Sequence, residues 1–199
     1  MRIGFRLPMV VAAVIGALAG GSPRAGRAST TLALSLDDLV ARATLVVAAT
    51  PVQATVVWED SPGGRGRRIV TYTQVRVDRV IDGSAPAELW IRTLGGSIGD
   101  IGQRVDGEAV LAPGQPALFF LRHFPDGPHG VVGMSQGQFL LDRGAVGPNS
   151  RVRRFPALPR LIAKAAPAGA PLAVPPSLDG KTLEQAAQLI HAARTSHAP

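Results

Sequence analysis

Arg68-Ile69-Val70-Thr71-Tyr72-Thr73-Gln74-Val75-Arg76-Val77-Asp78 is the stretch that decides the fold class. Successive side chains of an extended strand point to opposite faces, so Ile69, Thr71, Thr73, Val75 and Val77 share one side. Val70, Tyr72, Gln74, Arg76 and Asp78 share the other. A period of two with one apolar side predicts an antiparallel strand half-buried against a core. Upstream, Leu45-Val46-Val47-Ala48-Ala49 is a continuous apolar run suited to a buried strand. Pro51 predicts a bulge or an edge, and Val52, Ala54, Val56 and Trp58 then alternate up to a turn at Glu59-Asp60-Ser61-Pro62-Gly63-Gly64. After Asp82-Gly83, a third strand fits Glu88 to Leu94, with Leu89, Ile91 and Thr93 alternating against Glu88, Trp90 and Arg92.

A glycine-rich connection covers Gly95 to Gly107, and Ala117-Leu118-Phe119-Phe120-Leu121 reads as the most buried strand. A turn at Pro125-Asp126-Gly127-Pro128 precedes a last pairing segment, Val131 to Leu141, where Gly133 and Gly137 mark a bulge or corner. Five or six short strands with no helix between them predict a closed antiparallel barrel or small sandwich rather than a parallel sheet.

Helices are predicted at both flanks. Ser35 with Asp38 makes a capping-box pattern, and Leu36, Leu39, Val40 and Ala43 form one apolar face behind it. Thr182 with Gln185 repeats the pattern before Leu183, Ala186, Ala187, Ile190 and Ala193, so a closing helix is expected within 181–196. Residues 143–180 hold Pro148, Pro156, Pro159, Pro167, Pro171, Pro175 and Pro176 among Ala and Gly, the composition of an arm or linker. Phe155, Leu158, Leu161 and Ile162 are the residues expected to pin it to the domain.

Residues 1–28 have the layout of a signal peptide. Arg2 and Arg6 supply the positive region, Val10 to Leu18 the apolar run, and cleavage is expected after Ala19 or Ala28. The apolar run is about half of the roughly 20 residues a spanning helix needs. Without twin arginines the general secretory route is expected, which makes the mature chain periplasmic or secreted.

The 199 residues carry a formal charge of +7 and no Cys, which excludes disulfides, thiolate zinc sites and a Cys nucleophile. The charge is unevenly placed. Residues 1–28 hold four Arg and no acid, residues 34–142 hold nine Arg against twelve acids, and residues 143–199 hold six Arg and two Lys against two acids. An acidic domain with a basic tail does not point to nucleic acid. The tail, including Arg151, Arg153 and Arg154, suits at most a peripheral contact with an anionic envelope surface.

Catalytic motifs are weak. G-x-S-x-G occurs at Gly95-Gly96-Ser97-Ile98-Gly99 and at Gly133-Met134-Ser135-Gln136-Gly137, but the motif needs a strand turning sharply into a helix. Gly102 and Gly107 spoil a helix after Ser97, and Ser135 falls in a strand-like run. His123 and His129 flank a turn containing Asp126, with no third His nearby, and read as a loop with two solvated imidazoles. His191 and His197 lie at the C-terminal end. Asp37-Asp38 suits a first helical turn and Glu59-Asp60 a turn. Gly95, Gly96, Gly99 and Gly102 match neither a dinucleotide fingerprint nor a P-loop. No catalytic, cofactor-binding or metal residue is therefore assigned.

The string Leu36-Asp37-Asp38-Leu39-Val40-Ala41-Arg42-Ala43 leading into Leu45-Val46-Val47 belongs with four others: Val75-Arg76-Val77 to Asp82-Gly83, Thr93-Leu94-Gly95-Gly96 with Ile101-Gly102-Gln103, Phe119-Phe120-Leu121, and Val132 to Gly137. Together they resemble a group of uncharacterised exported proteobacterial proteins, a resemblance that implies no activity. More distantly, the strand order resembles the OB-type barrel of netrin and metalloproteinase-inhibitor modules. Those inhibitors present an N-terminal Cys to the protease metal, and this chain has none.

The expected fold is mainly β: an OB-like five- to six-stranded antiparallel barrel over 34–142, with a short N-terminal helix and a C-terminal helix. The expected function is an exported non-enzymatic binding module that recognises a protein or envelope polymer through its loops. The alternatives are a small serine hydrolase using Ser97 or Ser135 and a single-stranded nucleic-acid-binding domain.

Overall fold

The computed structural model describes residues 31–64, 66–125, 127–156, 161–162 and 177–196. Residues 1–28, the expected signal peptide, lie outside them, as do Arg65, Asp126, Leu158 and His197. In chain order the elements are β1 (Thr31–Leu32), α1 (Leu36–Arg42), β2 (Leu45–Asp60), β3 (Arg67–Asp82), β4 (Glu88–Leu94), β5 (Gly96–Ile98), β6 (Ile101–Gln103) and β7 (Ala117–His123). There follow β8 (His129–Val131), a 3-10 turn (Met134–Gly137), β9 (Gln138–Leu141), β10 (Val152–Arg154), β11 (Leu161–Ile162) and α2 (Leu183–Ser196).

The chain is mainly β. Seven strands form one sheet in the order β10-β9-β7-β2-β3-β4-β8, and β8 also pairs with β7. The pairings from β7 through β2, β3, β4 and β8 therefore return to β7. They are antiparallel except for β4 with β8, which meet in parallel at the one pair Ile91 and His129.

Strand β2 runs through Pro51, with the expected irregularity there: its register against β3 shifts between Pro51 and Gln53, and again at Val46/Val47 and Ala48/Ala49. Such bulges bend and twist a strand. That lets one 16-residue strand pair with β7 over Leu45 to Ala49 and with β3 as far as Asp60.

Two apolar clusters flank this sheet. Leu45, Val47 and Ala49 pack with Val75, Ile91, Phe119 and Leu121 inside the ring of pairings. On the other face, Val46, Ala48, Leu118 and Phe120 pack with Leu39 and Val40 of α1 and with Leu183, Ala187 and Ile190 of α2. Leu45–Ala49 of β2 and Ala117–Leu121 of β7 are thus covered on both sides, the physical reason these segments read as continuous apolar runs.

Both capping boxes form. The Asp38 N–H donates to Ser35 Oγ while the Ser35 N–H donates to the Asp38 carboxylate. Gln185 and Thr182 exchange the same two bonds at α2. Arg194 donates to Asp82 and to the Ala43 carbonyl, tying the last turn of α2 to the end of β3 and the exit of α1.

The structure adds four details to the sequence reading. Val70, on the expected solvent face of β3, is fully buried. Glu59 and Asp60 end β2 instead of lying in the turn. The segment from Val131 to Leu141 divides into β8, the 3-10 turn and β9, because Gly133 (φ +65°) and Met134 (φ +60°) are both left-handed and break the strand. Residues Val152–Arg154 of the proline-rich stretch pair with β9 as an edge strand.

Candidate functional site

The glycine-rich connection becomes the β5–β6 hairpin and the strap that follows it, and fixed bonds hold both over one end of the ring. Gly95 donates its N–H to the Ile69 carbonyl at 2.8 Å, and the Thr71 hydroxyl donates to the Gly95 carbonyl at 2.7 Å. The Ile69 N–H donates to Gln103 Oε1, and the Leu94 N–H donates to the Glu108 carboxylate. Gly96 (φ +135°) lies so close to β3 that a Cβ would sit 2.7 Å from both Thr71 Oγ1 and Val56 Cγ1. Only glycine meets both the backbone and the space requirement there. The strap continues past Gly107, whose carbonyl accepts the Ser135 N–H, to Val110, whose N–H and carbonyl both bond to the Gln138 amide.

Beneath this strap is a cleft of about 500 Å³. Thr71, Thr73 and Thr93 form its floor, main chain of the glycine-rich hairpin forms one wall, and Phe155 closes one side. Two charged groups stand at its edge, Glu108 and the exposed Arg104. Glu108 accepts main-chain N–H bonds, and Arg104 faces Asp106 at 3.6 Å. The cleft offers hydroxyls, peptide groups and one aromatic ring, with Arg104 exposed at its edge.

A second arrangement occupies the outer face of β2, β3 and β4. Tyr72 lies opposite Arg92 in the β3–β4 register, and Glu59 opposite Arg68 in the β2–β3 register. Arg92 grips Glu59 with two bonds, Nε to Oε1 at 3.1 Å and Nη2 to Oε2 at 2.5 Å, and the Tyr72 hydroxyl donates to the same carboxylate. Arg68 approaches it at 3.6 Å. The bonds from Arg92 pull the Glu59 carboxyl down from 4.5 to about 2 against the opposing effect of burial, and its carboxylate in turn raises the Tyr72 phenol. Glu59 is thus ionised and Tyr72 protonated near neutral pH, so neither serves there as a titrating acid or base. The cluster floors a depression of about 340 Å³ beside Phe124, Pro125 and Pro128.

The sequence candidates are scattered. Ser97 lies on β5 at the rim of the 500 Å³ cleft. Ser135 is in the 3-10 turn, fully buried, and its hydroxyl has no hydrogen-bond partner among the described residues. His191 contacts the Ile81 carbonyl. His123 and His129 do meet, directly opposite each other across β7 and β8 with ring centroids 5.2 Å apart. Among the described residues no group of three or more His, Cys, Asp or Glu is arranged to hold a metal. In the basic stretch, Arg153 pairs with Asp142 and Arg151 donates to the Gly180 carbonyl.

Sequence reasoning missed the Glu59 cluster. Alternation puts Tyr72 with Gln74 and Arg76, and Arg92 with Glu88 and Trp90, each within its own strand, but bringing Glu59, Tyr72 and Arg92 together depends on two strand registers at once.

No protein-family model matches the chain, and no curated protein matches it.

Proposed function

We propose that this chain is an exported, non-enzymatic binding module on an OB-like barrel, and that the cleft under the Gly95–Gly107 strap receives a neutral, hydroxyl-rich envelope polymer. The barrel reading rests on the ring of pairings from β7 through β8, with an inner apolar core and helices outside. The observation that carries the binding reading is the cleft itself. Its volume, about 500 Å³, lies within the range of small-molecule sites, and its rim is tethered in place before any ligand arrives. The Thr71 and Thr93 hydroxyls donate to main-chain carbonyls and keep lone pairs that can accept, adjacent peptide groups add to the polar lining, and Phe155 offers a flat apolar side, a mixture that suits sugar hydroxyls. The absence of a free charge on the floor favours a neutral partner over nucleic acid, whose phosphates demand cations. The export signal supplies the compartment, and the remaining basic residues of 143–199 suit a peripheral anionic surface.

The test is a titration of isotopically labelled protein with neutral glucan oligomers and soluble muropeptides, followed by amide NMR. Shifts confined to 71–73, 93–111 and 155, and weakened by Thr93→Val or Phe155→Ala, support the reading. Shifts elsewhere, or none with either probe, overturn it. Turnover of an ester, peptide or glycan substrate that is lost in Ser97→Ala would replace it with the hydrolase reading.

A further inference from the structure

His123 and His129 occupy a special position in the β7–β8 ladder. The Val132 N–H donates to the Phe120 carbonyl and the Phe124 N–H to the Pro128 carbonyl. In an antiparallel ladder hydrogen-bonded and non-hydrogen-bonded pairs alternate, so Leu121/Val131 and His123/His129 are the non-hydrogen-bonded pairs. The His123 N–H accordingly points away from β8 and donates to Thr44 Oγ1. Side chains in such pairs stand closest together. The two imidazoles extend the row of Phe119, Leu121 and Val131 beyond its apolar end, where His123 is exposed and His129 half-buried.

From this geometry we infer that the His123/His129 pair is a binding site for a divalent transition-metal ion, with the remaining coordination positions open. An ion about 2.1 Å from one nitrogen of each ring, at a tetrahedral angle, holds two imidazole centroids about 5.2 Å apart. The rings stand 5.2 Å apart already, inclined at 61°. Each ring turns freely about a metal–nitrogen bond, so the inclination is no obstacle.

His129 lines a depression of about 380 Å³ with Tyr72, Glu88 and Trp90, so the open positions face space that a small ligand can enter. With two protein ligands and soft-to-borderline nitrogen donors, the site favours Cu²⁺ over Zn²⁺ and both over Mg²⁺ or Ca²⁺.

Calorimetric titration of the full chain with Cu²⁺, Zn²⁺ and Mg²⁺ tests this. One Cu²⁺ and one Zn²⁺ per chain should bind, with no Mg²⁺, and His123→Ala and His129→Ala should each weaken Zn²⁺ at least about tenfold. His191→Ala and His197→Ala should leave it unchanged. A Zn²⁺-dependent rise in melting temperature in the wild type but not in His123→Ala provides a second readout, since binding to the folded state alone raises stability. Equal affinity in wild type and the His123/His129 double variant, loss of binding in the His191 or His197 variants, or no binding at all would overturn the assignment.

Discussion

Replacing Glu59 by Gln probes the cluster on the outer face of β2, β3 and β4. Glu59 receives two bonds from Arg92 and one from Tyr72, and its side chain is 23% exposed. Taking its carboxyl from 4.5 to about 2 corresponds to about 3 kcal/mol of preference for the ionised form in the folded protein. Solvent reaches the rim of the cluster, and screening reduces the stability contribution to about 1–2 kcal/mol. The variant also leaves Arg92, only 16% exposed, without a counter-charge, so the total cost at pH 7 is about 2 kcal/mol. A carboxyl lowered by folding stabilises the native state above its unfolded value and loses that contribution as pH falls through the folded one. The gap between wild type and Glu59→Gln should therefore hold from pH 7 to about 5 and largely close by about pH 2.5. Urea denaturation of both proteins across this range measures it. A gap that stays constant down to pH 2.5, or a variant as stable as wild type at pH 7, would refute the reasoning.

Gly96→Ala should destabilise the fold by about 2 kcal/mol or more, since its Cβ would meet Thr71 Oγ1 and Val56 Cγ1 at 2.7 Å in a backbone that alanine resists. Urea denaturation reads the loss, and hydrogen exchange at the Gly95 N–H should speed up as the hairpin lifts. For His129, lowered in the folded state by burial and then by His123, wild-type stability without metal should fall as pH drops from about 6.5 through the folded value and then level off. His129→Gln should lack that component. Denaturation at pH 7.5, 6 and 5 separates the two proteins.

Elements defined by local pattern were legible in the sequence. The edges of β4, the buried Leu89, Ile91 and Thr93, both capping boxes and the bulge at Pro51 follow from neighbouring residues alone. Features set by register were not. Glu59 looked like a turn residue because Ser61-Pro62-Gly63-Gly64 follows it, and its bond to Arg92 spans 33 residues. The contact between His123 and His129 needs the two strands to pair with neither one slipping. Ser135 reads as part of a strand because its flanking residues are strand-like, and the left-handed Gly133 and Met134 before it end that pattern.

The single pair Ile91/His129 that joins β4 to β8 also decides how this protein would go wrong. A ring with every strand paired offers no template to another chain, but a seam one pair wide opens for far less than the whole fold does. Once parted, the seam exposes Leu89-Trp90-Ile91 along an unpaired edge, an apolar run that a second molecule can extend. Aggregation of this protein should then begin at β4 while the α1/α2 side is still folded, and Trp90 fluorescence should change before helical circular dichroism is lost.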